Sequence, residues 1–137
     1  MKKRTPVSKI MTANPVSVNM TNSVRDVVDI FNNNNIHHLP VVSGDELKGL
    51  ISKSDIDRIS FVTNSQDEEA NTVVYDTLTL DQVMTTDLKT VNEDDQIREA
   101  AEMLANGNYH ALPVLANNKL SGIVTSTDII KYLLEQF

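Results

Sequence analysis

The chain has no cysteine among its 137 residues. That excludes a disulfide framework, thiol catalysis and a zinc-thiolate site, and it fits a reducing cytoplasm. Long apolar runs are also missing: none approaches the roughly 20 residues needed to span a bilayer. The basic N-terminus Met1-Lys2-Lys3-Arg4 is followed by no apolar segment, so a signal peptide is not expected. Basic residues are the minority, with 12 Lys and Arg against 19 Asp and Glu and a net charge of −7. Nucleic acid is therefore not the expected main partner, and no membrane is expected. Hydrophobic residues make up 40% and charged residues 23%, the balance of an ordinary soluble globule.

What the chain does have is a copy of itself. Met11-Thr12, Leu39-Pro40-Val41-Val42 and Gly49-Leu50-Ile51-Ser52-Lys53-Ser54-Asp55-Ile56 recur without a gap. The counterparts are Met84-Thr85, Leu112-Pro113-Val114-Leu115 and Gly122-Ile123-Val124-Thr125-Ser126-Thr127-Asp128-Ile129. Met84 follows Met11, Pro113 follows Pro40, Gly122 follows Gly49 and Asp128 follows Asp55, each by 73 residues. Each copy holds about 55–60 residues, a size at which a private core is marginal, so a shared core is expected. The boundaries read as 5–60 for the first repeat, 61–77 for an acidic linker and 78–137 for the second repeat.

Within each copy the hydrophobic period changes in the same order. Thr5-Pro6 resembles an N-cap with proline at the first helical position, opening a short turn. Val16 and Val18 alternate as a strand, and Leu88 to Val91 is its counterpart. Ser23 and Asp26 have capping-box spacing. Val24, Val27, Val28 and Phe31 then form a helical stripe, matched by Ile97, Ala100, Ala101 and Leu104 after Asp94-Asp95. Asn34 and Gly107 end these helices at matching positions where φ > 0 is expected. Two apolar runs follow in each copy, joined by Ser43-Gly44-Asp45-Glu46 or Asn117-Asn118, a hairpin signal. A last helix begins near Ser54-Asp55 and near Ser126. The expected fold is α+β, a tandem β-α-β-β-α repeat about a pseudo-two-fold axis.

The segment Ser52-Lys53-Ser54-Asp55 lies where a strand ends and a helix begins. Helix-start N–H groups favour an anion, and hydroxyls add donors. An aspartate in the first turn can accept from a vicinal diol such as a ribose. The same spacing is equally a capping box. Its recurrence as Thr125-Ser126-Thr127-Asp128 shifts weight toward a ligand without removing the cap, because duplication copies caps too. Proline in Ile36-His37-His38-Leu39-Pro40 and Tyr109-His110-Ala111-Leu112-Pro113 blocks ladder pairing and leaves backbone groups free to read an adenine edge. His37, His38 and His110 have no further residues at metal-ligand spacing, so no metal is expected. No nucleophile elbow or other catalytic signature is present, and no enzyme is expected.

Met-Thr, Leu-Pro-Val and Gly-apolar-apolar-Ser/Thr-x-Ser/Thr-Asp-Ile, all given twice and in order, resemble the cystathionine-β-synthase (CBS) domain pair, or Bateman module. The resemblance implies clefts that bind adenosyl compounds: AMP, ADP, ATP, NAD or S-adenosylmethionine. It implies that one cleft combines Thr12, Pro15, Val16, His37, His38 and Leu39 with Thr125, Thr127 and Asp128. The other combines Thr85, Leu88, Lys89, His110, Ala111 and Leu112 with Ser52, Ser54 and Asp55. Both aspartates would hold ribose hydroxyls. The repeats differ at Pro15 against Leu88, His38 against Ala111 and Lys53 against Ser126, so the clefts are not equivalent. With no effector domain in the sequence, the expected output runs through a homodimer or a separate effector protein. Ile129, Ile130, Tyr132, Leu133, Leu134 and Phe137 supply more apolar surface than one core-facing stripe needs. The other class left open is a structural dimerisation or docking module with unoccupied clefts.

Overall fold

The computed structural model describes residues 4–62 and 75–137. Most of the acidic linker, 63–74, lies outside them. In chain order the elements are a 3-10 turn (Val7–Lys9), β1 (Thr12–Ala13), β2 (Val18–Asn19), α1 (Val24–Asn33), β3 (His38–Ser43), β4 (Glu46–Ser52) and α2 (Lys53–Val62). Then come α3 (Leu80–Val83), β5 (Val91–Asn92), α4 (Ile97–Asn106), β6 (Ala111–Ala116), β7 (Lys119–Thr125) and α5 (Ser126–Glu135). The α+β class and the repeated order of strand, helix, hairpin and helix are as the sequence implies.

The chain forms two compact units, and they do not follow the repeat boundaries. One holds Val16–Asp87; the other joins Met1–Pro15 to Leu88–Phe137. In the first of these, a three-stranded sheet has the order β2-β3-β4. Val24, Val27 and Phe31 of α1 pack with Val18, Leu39, Val41, Ile51, Ile56 and Leu80. Leu80 belongs to the lead-in of the second repeat, yet it closes the core of the first. In the second unit the sheet has the order β1-β7-β6-β5. Its core gathers Val91, Ile97, Ala100, Leu112, Val114, Val124 and Ile129 around Val7, which is fully buried. Val7 belongs to the lead-in of the first repeat.

The exchange is held by backbone pairing. Thr12 lies opposite Ile123 and Ala13 opposite Gly122 in an antiparallel ladder. At the matching place Thr85 lies opposite Leu50, with Leu50 N–H donating to Thr85 O at 3.0 Å and Thr85 N–H to Leu50 O at 2.9 Å. The two glycines of the repeat motif are explained here. A Cβ on Gly122 would stand 2.6 Å from Met11 Sδ and 2.8 Å from Thr12 O. On Gly49 it would stand 2.5 Å from Met84 Sδ, 2.8 Å from Met84 Cγ and 3.1 Å from Thr85 O. Glycine admits a close approach that any side chain would obstruct. Methionine, unbranched and flexible, fills the space that remains.

The same lead-in also completes a helix start. Ile97 N–H donates to Thr5 O at 2.9 Å, Val7 N–H to Asp95 O at 2.7 Å and Ser8 N–H to Glu93 O at 3.1 Å. No side chain caps α4: its N-cap is Gln96, and Asp95 instead accepts from Asn92 N–H at 2.8 Å. A helix whose first N–H is satisfied by a distant carbonyl needs no local cap. Pro6, expected at the first helical position, is the residue before the 3-10 turn and bridges to Gln96. The left-handed helix ends expected at Asn34 and Gly107 are not found. Both are extended, with φ −134° and −102°. Gly107 instead packs under the Tyr109 ring, whose carbon Cε1 would lie 2.4 Å from an added Cβ unless the ring moved. Left-handed residues lie in the hairpin loops, at Gly44 (φ 62°) and at Asn117 and Asn118 (φ 52° and 66°), and just after β1 at Asn14 (φ 48°). The expected early strands are also shorter, because only Val18–Asn19 and Val91–Asn92 reach a partner.

The capping box at α1 is formed as the spacing implies. Ser23 Oγ accepts from Asp26 N–H at 3.1 Å, and Asp26 accepts from Ser23 N–H at 3.0 Å. Hydrogen bonds from the Asn22 side chain and the Ser23 backbone hold the Asp26 carboxyl below its ordinary value. A depressed carboxyl stabilises the fold fully above its unfolded pKa and loses that contribution as pH falls through the folded one. Asp26→Asn should therefore flatten part of the acid limb of a thermal-stability profile; an unchanged limb would remove this role. Gly122→Ala should destabilise the fold by about 1–3 kcal/mol in urea, since Thr12 O cannot retreat. Gly49→Ala should cost less, because the backbone oxygen there, Thr85 O, stands farther off at 3.1 Å and the closer atoms belong to a flexible methionine. Equal and negligible costs for both would refute the close-approach account.

Candidate functional site

The candidate site is built twice, each time where a hairpin strand runs into a helix. In the unit containing Val16–Asp87, β4 ends at Ser52 and α2 begins at Lys53. Asp55 N–H donates to Ser52 Oγ at 3.1 Å, and Asp55 Oδ2 accepts from Ser52 N–H at 2.8 Å. In the other unit β7 ends at Thr125 and α5 begins at Ser126. Asp128 N–H donates to Thr125 Oγ1 at 3.1 Å, and Asp128 Oδ2 accepts from Thr125 N–H at 2.9 Å. Both motifs are thus reciprocal capping boxes, and each aspartate spends one oxygen on the cap.

The first-turn N–H groups are mostly spent as well. Lys53 N–H donates to His37 O at 2.8 Å, and Ser126 N–H to His110 O at 2.9 Å. With the third N–H taken by the cap hydroxyl, Ser54 and Thr127 carry the first-turn N–H groups for which no partner is found among the described residues. Both residues are exposed, so each offers a hydroxyl and an N–H to solvent. The broad anion-binding helix start expected from the sequence narrows to these two residues.

The remaining expected site residues divide between the units. Thr12 and Pro15 share a unit with Thr125, Thr127 and Asp128, as do Leu88, Lys89, His110, Ala111 and Leu112. Thr12 is exposed beside the strand that ends in Thr125. Val16, His37, His38 and Leu39 lie in the unit that holds Ser52, Ser54, Asp55 and Thr85. Thr85 is exposed beside the strand that ends in Ser52. Val16, His37, Lys89 and His110 are exposed, whereas Leu39, Ala111 and Leu112 are buried in their cores. The buried three can offer backbone only.

The prolines are not at strand starts. Pro40 is the third residue of β3 and Pro113 the third of β6. Pro40 lies opposite Leu50, whose N–H and C=O turn outward to Thr85. By the alternation of an antiparallel ladder, Pro40 also faces away from β4, toward the side where β2 pairs with Val41 and Val42 but not with Pro40. Its missing N–H therefore costs no ladder bond. Among the described residues no group of three or more His, Asp or Glu could hold a metal ion.

Arg58 lies on α2 one helical turn after Asp55. In the structure its guanidinium Nη2 bonds Asp55 Oδ1, the carboxylate oxygen that the cap leaves over. The spacing of three residues along a helix was the available signal.

The sequence matches the CBS domain family over residues 7–61 and again over 80–135. The chain belongs to the CBS domain family. The CBS domain pair of protein MJ0100, solved in complex with 5′-methylthioadenosine and S-adenosyl-L-methionine, is 25% identical with a TM-score of 0.79. The match covers 98% of this chain and 100% of that one. CBSX2, solved in complex with AMP, is 23% identical with a TM-score of 0.82 over 96% and 98% of the two chains, a likeness of fold. In sequence, a homoserine O-acetyltransferase of Methanosalsum zhilinae is 35% identical over 129 residues, 93% of this chain but 24% of that protein. The CBS domain-containing protein YhcV of Bacillus subtilis is 26% identical over 90% of this chain and 81% of its own. The CBS pair thus spans about a quarter of the length of the acetyltransferase. Among the described residues no helix is long and apolar enough to cross a membrane.

The doubled cap makes a stability prediction independent of any ligand. Ser52→Ala and Thr125→Ala should each lower stability by about 0.5–2 kcal/mol in ligand-free protein, read by denaturant unfolding. No loss at either position would show that the boxes do not hold the helix starts.

Proposed function

We propose that this CBS pair is a non-catalytic regulatory module that binds an adenosyl ligand at its two Ser/Thr-x-Ser/Thr-Asp motifs. One arrangement carries the reading. In both units an aspartate with its backbone fixed by a cap stands one residue after an exposed Ser or Thr whose N–H remains available. A carboxylate suits the ribose diol, and the hydroxyl with its N–H suits a phosphate or another acceptor. The likeness to MJ0100, solved with two adenosyl compounds, supports this choice of ligand class. By motif, one cleft would add Thr12, Pro15, Val16 and the His37–Leu39 backbone to Thr125, Thr127 and Asp128. The other would add Thr85, Leu88, Lys89 and the His110–Leu112 backbone to Ser52, Ser54 and Asp55. ADP, ATP and NAD belong to the same ligand class as the compounds named above.

The output would pass through a second copy of the chain or a separate effector protein. Ile130, Leu133 and Leu134 along α5 and Phe137 just beyond it are exposed, the last two at 67% and 97%. An apolar face of that kind favours association. A ligand that binds the two arrangements of such a dimer unequally would shift their populations. This face also favours the second reading, a docking module with unoccupied clefts.

Calorimetry decides between them. Titration with AMP, ATP, NAD, methylthioadenosine and S-adenosylmethionine should give saturable heat with at least one. Asp128→Asn keeps an acceptor for the cap and removes the carboxylate, so it should weaken that ligand by about 1–3 kcal/mol. Silence from every compound would leave the docking module as the surviving account.

A further inference from the structure

The two aspartates are not equally available, and the difference is one side chain. Asp55 has both oxygens engaged: Oδ2 by Ser52 N–H and Oδ1 by the Arg58 guanidinium. Asp128 has the same cap at Oδ2. Among the described residues, no hydrogen bond or ion pair is found at its other oxygen. Lys131 stands where Arg58 stands, 73 residues later, and pairs with no carboxylate among the described residues. The Arg58 side chain is 69% exposed while that of Asp55 is only 14% exposed. The carboxylate is thus sheltered, and its partner is free to leave.

Resting on the adenosyl-binding reading above, we propose that Arg58 is a specificity-determining residue that makes the Asp55 motif selective for phosphorylated adenosine. A ribose diol needs the oxygen that Arg58 occupies, so the guanidinium must be displaced before the diol binds. The guanidinium side of the pair is open to water, which competes for it, and displacement is feasible. The displaced guanidinium then lacks an anion. A 5′-phosphate supplies one in the planar, two-pronged geometry that arginine prefers. An unphosphorylated nucleoside supplies none. The Asp128 motif carries no such occupant and takes adenosine or a neutral thioether analogue without that exchange. The two motifs therefore differ in ligand class, the Asp55 motif favouring nucleotides and the Asp128 motif tolerating nucleosides.

The test is two-site calorimetry of the full chain with adenosine and with AMP, on the parent protein, Arg58→Gln and Lys131→Gln. In the parent, one site should prefer AMP over adenosine far more strongly than the other. Arg58→Gln should cut that preference by about tenfold, because AMP loses a charge-assisted hydrogen bond. The same variant should tighten adenosine by up to about fivefold as the competing pair disappears. Lys131→Gln should leave the preference of the selective site unchanged. An unaltered ratio in Arg58→Gln, or an equal fall in Lys131→Gln, overturns the assignment while leaving adenosyl binding intact. A parent protein that binds neither compound overturns this proposal, and the adenosyl reading falls with it only if ATP, NAD, methylthioadenosine and S-adenosylmethionine give no heat either.

Discussion

The exchange of lead-in segments is the constraint on which the other features depend. A short extended stretch, Met-Thr, leaves its own repeat and pairs with the glycine-bearing strand of the opposite one. Two reciprocal backbone hydrogen bonds fix Thr85 to Leu50, each contributing on the order of 1 kcal/mol net. The larger contribution is burial. Val7 and Leu80, one turn before the exchanged threonines, fill the core of the other repeat. Neither repeat is complete without a residue from its counterpart. A chain half of about 60 residues, too small for a secure core of its own, gains one by this interleaving.

The same constraint positions the candidate site. Thr12 and Thr85 reach the strands that end in Thr125 and Ser52 because their lead-ins are exchanged. The aspartates are fixed by caps, so their carboxylates are held before any ligand arrives. This combines two roles that the sequence reading set against one another. Capping consumes one oxygen and one first-turn N–H, and a histidine carbonyl takes a second N–H. What remains at each start is one oxygen, one N–H and one hydroxyl. In the first motif Arg58 takes that oxygen too.

Much of the local structure was legible. The stripes Val24, Val27 and Phe31, and Ile97 and Ala100, are core-facing as their period implies, and the Ser23–Asp26 box is formed. These features depend on neighbours within one or two helical turns, which the sequence displays directly. The helix ends and one helix start differ from what the sequence implies. Asn34 and Gly107 look like left-handed caps, yet both are extended; the glycine packs under the Tyr109 ring. Asp94-Asp95 looks like a cap for α4, yet the first N–H of that helix is satisfied by Thr5. At α4 a contact from the far end of the chain replaced the local cap.

The sequence by itself determined the duplication, the element order, the helix caps at Ser23, Ser52 and Thr125, and the residue types at each candidate site. All of these are carried by short spacings or by one constant offset. Only the tertiary structure decided which repeat each lead-in joins, why Gly49 and Gly122 carry no side chain, and which oxygen of each aspartate is left over. Pairing Thr12 with Ile123 joins residues more than a hundred positions apart, and no periodicity encodes such a partner. Close approach and the state of a carboxylate are properties of the neighbours, and the neighbours exist only in the folded chain.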